Sequence, residues 1–329
     1  MTNRQNALEI IHFGKPEKVL AEIPVHTAEY FGMNHQSLED TGIRDGHNKP
    51  VGSRWIDIWG TEWHKEFAGV MGFPKGNPLA DMDRFASYKW PDPNDERFCR
   101  QIYEDAENCK PNADKLLCGS HRDTLWEKAY MLVGMENMMV YFYTDPAYAR
   151  EILHHIMDFQ LGIARHYIRA GVEIVSLGDD LGTQNSLILS PEILNEFLIP
   201  EYMRLFDFYR SRNILINFHS CGHVAPLLET FIAMGVNILN PLQATANDLC
   251  RVIAVTEGRM ALCGGISTGL IMDGPIDQIR QTVKETIGLL GKNGGYFCMP
   301  DQTMPFPKEN IQAFYQAVEE FGSYPRRTE

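Results

Sequence analysis

The chain has 329 residues, 44% of them hydrophobic and 22% charged, with 30 Lys and Arg against 43 Asp and Glu for a formal charge of −13. A surface of that sign repels phosphate backbones and anionic lipid, which argues against a nucleic-acid or membrane-surface partner. Ordinary Gly and Pro content with plentiful aliphatic and aromatic residues excludes collagen-like, coiled-coil and disordered classes.

No run reaches the roughly 20 apolar residues a membrane span needs. The opening MTNRQNALEIIHFGKPEK lacks the apolar core and small-residue cleavage site of a signal peptide. Seven cysteines in such a chain point to free thiols or metal ligands, not to a disulfide framework, and the chain reads as cytoplasmic.

In chain order, Val19–Val25 reads as a first strand. From residue 114 onward short apolar runs alternate with helical patterns: 115–120, 172–180, 214–222, 237–243, 259–267 and 295–301 read as buried parallel strands, without the alternation of a half-exposed sheet. An eighth strand is placed near Trp55–Trp59. Between the strands lie amphipathic helices. Asp145-Pro146 and Ser190-Pro191 set a capping side chain before a proline suited to the first helical position. Gly171, Gly235 and Gly294-Gly295 mark the returns to the next strand. The repeating unit is that of a parallel α/β fold. No Gly-x-Gly-x-x-Gly follows the first strand, so a (β/α)8 barrel is favoured over an open doubly wound sheet.

A minimal barrel takes roughly 250 residues. The surplus falls at 27–113, which holds Trp55, Trp59, Trp63 and Trp90 and has little periodicity. The reading is one barrel domain, 1–329, with 27–113 as an insertion folded over the barrel mouth. Arg326-Arg327 reads as a solvated pair.

Catalytic groups of a parallel barrel come from the C-terminal ends of its strands. His219-Ser220-Cys221-Gly222 ends one strand. Residues two apart in extended chain share a face, so imidazole and thiol can meet at one point. Cys298, ending the last strand, offers a third soft ligand, and zinc suits such a set. The competing reading is a chance His-x-Cys beside an inert buried thiol. Asp179 and Asp180 follow another strand as candidate acid, base or ligand; successive side chains diverge, so one of the two faces the cavity, and the competing reading is that one of them only caps the following turn or helix. Cys118 and Cys263 are strand-end thiols in reserve. His121, with Arg122, and Gln184 are candidate contacts to substrate or cofactor.

The segments FHSCGHVAPLLETFIAMGVNILNPLQ, ALCGGIS and GGYFCMPDQ with the following P-K-E-N-I-Q-A resemble the uroporphyrinogen decarboxylase superfamily, and within it the corrinoid-dependent methyltransferases. The resemblance implies a (β/α)8 barrel, zinc held by His219, Cys221 and Cys298, and methyl transfer to or from the cobalt of a corrinoid. No Asp-x-His-x-x-Gly segment for binding a corrinoid occurs here, which leaves that cofactor to a partner protein. Decarboxylation fits poorly: the Arg-rich N-terminal motif that reads a polycarboxylate is missing, and residues 1–54 contain only Arg4, Arg44 and Arg54. The favoured substrate is a methoxylated aromatic, enclosed by the tryptophan-rich insertion; a methylcobalamin:thiol transfer and a non-catalytic ligand-binding barrel are the alternatives. The resemblance also implies a monomer or homodimer.

Overall fold

The computed structural model describes residues 1–39, 48–110 and 112–324; Arg44, Arg326 and Arg327 lie outside the described residues. Seven parallel strands form one sheet: β1 (Val25–Ala28), β5 (Leu116–His121), β6 (Ile174–Gly178), β7 (Leu215–His219), β8 (Ile238–Leu242), β9 (Ala261–Ile266) and β10 (Tyr296–Pro300), adjacent in that order. A parallel bridge between Leu20 and Phe297, with Cys298 N–H donating to Leu20 O at 2.9 Å, joins the two edges. Helices cover the outside, and the whole is a TIM-barrel-like α/β fold. No helix among the described residues is long and apolar enough to cross a membrane.

The helix starts hold, as do the ends at Gly171 and Gly235, but the helix Ile276–Leu290 ends at Gly291 (φ −88) and not at Gly294-Gly295. Asp145 accepts from Tyr148 N–H at 3.1 Å and starts the helix Pro146–Ala170, which Gly171 ends in left-handed conformation. Ser190 accepts from Ile193 N–H at 3.3 Å ahead of the helical run that ends at Arg210.

Two expectations need correction. The first strand does not run over 19–25: only Leu20 bridges β10, and regular pairing with β5 starts at Val25, because Pro24 has no N–H to give to a ladder. The eighth strand near Trp55–Trp59 does not join the barrel. Trp55 sits in β2 (Arg54–Ile56), which pairs antiparallel with β3 (Glu62–His64), itself paired with β4 (Phe73–Gly76) in a separate three-stranded sheet.

The segment 27–113 is also less uniform than its composition implies. Its last part is the helix Glu96–Cys109, packed against β1, where Glu29 N–H donates to Asp105 Oδ2 at 3.2 Å. This helix is the crossover from β1 to β5. The irregular part is organised by Asp57, whose carboxylate accepts from Trp59 N–H, Thr61 N–H and Trp63 Nε1–H at 2.9–3.0 Å. Trp55, Trp59 and Trp63 are buried, so they anchor the segment from within.

The barrel strands carry apolar side chains on both faces, joined on the inner face by polar ones toward the cavity, and the two faces feed different clusters. Leu116, Cys118, Ile174, Ile238, Ala261, Cys263 and Phe297 pack together inside the barrel. Leu117, Val175, Leu177, Leu239, Leu262 and Cys298 belong to the larger cluster between sheet and helices. This two-residue phase decides which strand-end groups reach the interior.

Candidate metal centre

A cavity of about 690 Å³ fills the barrel interior, from Ile23 and Val25 at one end to Asp180, His219 and Cys221 at the C-terminal ends of β6 and β7. Ligand atoms of these last three lie within 4.8 Å of one another, the one group among the described residues with such geometry.

The triad is assembled by two loops in backbone contact. Asp179 N–H donates to His219 O at 3.0 Å and His223 N–H to Thr183 O at 2.7 Å. A Cβ on Gly182 would stand 2.8 Å from Cys221 O, and one on Gly222 (φ +83) 2.4 Å from Gly182 O. Glycine at both positions lets the loops after β6 and β7 touch. Cys221 N–H donates to Asp180 Oδ1 at 2.9 Å, which draws the carboxylate toward the thiol.

His219 Nδ1 is paired with Asn240 Oδ1 at 2.9 Å, and its Nε2 faces Cys221 Sγ at 3.4 Å and Asp180 Oδ1 at 3.6 Å. Gln302 Nε2 donates to Cys221 Sγ at 2.8 Å. Burial and the Asp180 charge push the Cys221 thiol well above its ordinary value in the absence of a cation. Carboxylate, imidazole nitrogen and thiol form a donor set that zinc accepts, and an imidazole nitrogen turned toward the other two donors fits an ion between them.

Cys298 is not part of this group. On β10 the residues facing inward are Phe297, in the inner cluster, and Met299, which lines the cavity. Cys298 therefore points out between sheet and helices, fully buried, its thiol pushed up to about 12 by burial. Asp180 takes the third position of the triad.

The two aspartates divide as divergent neighbours must. Asp180 lines the cavity. Asp179 is fully buried behind it and accepts from Leu125 N–H (2.6 Å), Glu127 N–H (2.8 Å) and Tyr202 O–H (2.7 Å). It caps the start of the helix Trp126–Val133, a spatial neighbour and not the next helix in sequence. It does not line the cavity. Burial raises its carboxyl to about 7 against these hydrogen bonds.

His121 also turns outward. Its Nδ1 pairs with Gln160 Oε1 at 2.7 Å and its Nε2 with Tyr209 Oη at 2.5 Å, behind the barrel wall. Burial pulls it down to about 4, which favours the neutral ring; His121 borders the cavity, but both ring nitrogens are taken by Gln160 and Tyr209. Gln184 is exposed on the turn between Gly182 and Leu187 and lines no part of the cavity. Arg122 does line it, and donates to Asn34 Oδ1 at 3.2 Å.

Three groups escaped the sequence reading. Glu127 lines the cavity; burial, then the charges of Asp123, Asp179 and Asp180, push its carboxyl well above the ordinary range and favour its neutral form. Asp123, also in the wall, pairs with His35 Nε2 at 2.9 Å, and that imidazole stacks on Trp63 at 4.0 Å. Burial works against the Asp123 charge, but His35 outweighs it and holds the carboxyl far below its ordinary value. Asn240 is the third. None has a spacing that ties it to His219; only the order of strands brings them together.

The sequence model described as uroporphyrinogen decarboxylase (URO-D) matches residues 73–321. Comparison with curated proteins gives no match. Among solved structures, a methyltransferase from Methanosarcina mazei superposes with a TM-score of 0.68 at 17% identity, over 98% of this chain and 99% of that one. A B12-independent methionine synthase from Shewanella sp. W3-18-1 superposes with a TM-score of 0.37 at 9% identity, over 66% of this chain and 64% of that one.

Proposed function

The chain belongs to the uroporphyrinogen decarboxylase family, and from that premise we propose that it is a zinc-dependent methyltransferase, moving a methyl group between a small substrate in the barrel cavity and the cobalt of a separate corrinoid protein. The observation that carries the reading is the convergence of Asp180, His219 and Cys221 on one point at the cavity's C-terminal end. The likeness to the Methanosarcina methyltransferase over nearly the whole chain supports the barrel frame in which the triad sits.

Asp180 and Cys221 would neutralise a divalent ion formally, and three protein ligands leave a fourth position for a substrate heteroatom. Zinc, when bound, supplies Lewis acidity that stabilises charge on the heteroatom that loses or gains the methyl group. Gln302 would steady the Cys221 sulfur through its donated hydrogen bond. Glu127, protonated in the wall of the same cavity, is the proton donor available to a leaving group.

O-demethylation of a small methyl ether is the favoured reaction. Glu22, Glu29 and Asp123 line the cavity with Arg122 as the guanidinium among the described lining residues, and such a wall disfavours an anionic thiol or a polycarboxylate. Among the described lining residues there is no tryptophan; the interior presents Thr27, Ser120, Ser176 and Asn217, which favours a polar substrate over a bare aromatic ring. The substrate is a polar methyl ether with groups that hydrogen-bond to that ring of side chains. Met33 and Asn34 complete the wall, which supports the insertion within 27–113 as the cover of the cavity. The corrinoid protein would approach over that mouth.

The test is metal analysis of protein purified without chelators, with loss of the Co(I) absorption of a corrinoid protein on adding methyl ethers. About one zinc per chain and methyl-donor-dependent loss of Co(I) are expected. Protein without zinc, or zinc protein inert to every donor and acceptor, would sink the reading.

A further inference from the structure

Four side chains on four adjacent strands form a chain of hydrogen bonds that ends on the metal-facing imidazole. Met299 Sδ lies 3.1 Å from Cys263 Sγ; Cys263 Sγ lies 3.0 Å from Asn240 Nδ2; Asn240 Oδ1 lies 2.9 Å from His219 Nδ1. The strands are β10, β9 and β8, with His219 at the end of β7 beside them. We propose that Asn240 is a positioning residue that fixes the tautomer of His219, and that Cys263 and Met299 fix Asn240 in turn.

The direction follows from what each group can donate. A thioether has no hydrogen, so Met299 Sδ is an acceptor only, and the contact with Cys263 requires the thiol S–H to point at it. The Cys263 sulfur then faces Asn240 with lone pairs, and the group it accepts from is the amide NH₂. With Nδ2 committed to Cys263, Oδ1 is the atom turned toward His219. An oxygen there accepts, so His219 carries its proton on Nδ1. Nε2 is left with a bare lone pair, facing Cys221 Sγ and Asp180 Oδ1.

The flipped amide is a different state, not an equivalent one. It would turn Nδ2 on His219, force the proton to Nε2, and pull the Cys263 S–H away from Met299 onto Oδ1. Nε2–H would point a hydrogen at the position where a metal lone-pair donor is needed. The thioether thus selects between two amide orientations that differ in whether the triad can bind an ion at all. Partners that orient a ligating histidine are worth 10–100-fold in metal affinity. The inference rests on the zinc reading for its purpose, but its first measurement does not involve zinc.

Nitrogen-15 NMR of the His219 ring in metal-free protein, at alkaline pH, reads the tautomer directly. We expect protonated Nδ1 and unprotonated Nε2. Asn240→Leu should mix the tautomers and weaken zinc binding, measured against a chromophoric chelator, by about 10–100-fold. Asn240→Asp keeps an oxygen facing Nδ1 and should restore both readouts, which a purely structural role for the amide would not predict. Met299→Leu keeps the volume, removes the acceptor, and should give mixed tautomers with an intermediate zinc affinity. Nε2–H in the parent protein, or unchanged tautomer and zinc affinity in Asn240→Leu, overturns the proposal. Failure of the parent to bind zinc would overturn the function instead, and leave the tautomer result standing.

Discussion

Asp179 and Asp180 are neighbours in sequence whose carboxylates serve opposite sides of the barrel wall. Asp180 lies with His219 and Cys221 in the cavity. Asp179 gathers two backbone N–H groups and the Tyr202 hydroxyl in the helix layer. One fixes the place of the helix that carries Glu127; the other faces the chemistry.

Replacing Asp179 therefore costs stability before it costs chemistry. Asp179→Ala strands the Leu125 and Glu127 N–H groups and the Tyr202 hydroxyl in a buried site. Loss of a cap costs about 1 kcal/mol, and stranded buried groups add about 1–3 kcal/mol more. Thermal unfolding should show a lowered Tm, and metal content of the folded fraction should match the parent. A parent-like Tm would show that the capping role is wrong.

The triad predicts a sharp split among cysteine variants. His219→Ala, Cys221→Ser and Asp180→Asn should each lose bound zinc with little change in Tm, because all three side chains are partly exposed in the cavity wall. Cys298→Ser should keep its zinc. Elemental analysis of the four proteins decides between Asp180 and Cys298 as third ligand; zinc loss confined to Cys298→Ser among the last two would reverse the assignment.

His121 sets an acid limit on stability. Its folded value of about 4 lies below the ordinary 6.5, so between those pH values the unfolded chain binds the extra proton and stability falls as pH falls. Above pH 6.5 the group contributes no pH dependence. The full effect, on the order of 3 kcal/mol at one unit per 1.36 kcal/mol, is reached below pH 4. The difference in unfolding free energy between the parent and His121→Gln should slope across pH 6.5 to 4 and be flat above it. A difference that stays flat throughout would show that the imidazole is not held neutral.

The His35–Asp123 pair is a buried ionic tie between the irregular segment and the barrel. Removing one partner of a buried pair leaves the other uncompensated, at a cost of about 3–5 kcal/mol. Asp123→Ala should raise amide hydrogen exchange across β2–β4 and the Trp63 surroundings first, ahead of the barrel strands. Uniform acceleration across the barrel would place the tie elsewhere.

Much of the barrel is legible from Val/Ile/Leu-rich runs, capping side chains and return glycines, because each is a local physical requirement. The His-x-Cys pair is legible for the same reason: two residues apart on a strand end share a face whatever the surroundings. Cys298 and His121 were misplaced because β10 and β5 are buried on both faces, so YFCMP and LLCGSH carry no alternation from which to set the phase. The sequence shows that these residues end strands and gives no sign of which way they point.

Asp180 could be named as one of two and no further, since the choice depends on a helix start fifty residues earlier that needs Asp179. Trp55, Trp59 and Trp63 mislead in a different way. Their number suggests an aromatic wall for a ring, yet an irregular segment without much regular hydrogen bonding needs large side chains to hold itself together. Asn240, Glu127 and Asp123 carry no spacing signal at all; strand order alone brings them to the site.

The closure of the barrel has a consequence for how the chain folds. Leu20 meets Phe297, Lys18 pairs with Ser323, and Val19 N–H reaches Gly322 O at 2.8 Å, so the seam joins the earliest part of the described chain to the latest. Contacts of such sequence separation carry the largest loop-closure cost and form slowly. Strands β5–β9 can pair in order during synthesis, whereas β10, the strand that brings Met299, gains its second neighbour only when the two ends meet. The end of the cavity that holds Asp180, His219 and Cys221 is thus among the last parts of the molecule to be completed, and a nascent chain halted before Phe297 would present His219 and Cys221 at the strand ends of a sheet whose two edges have not yet met.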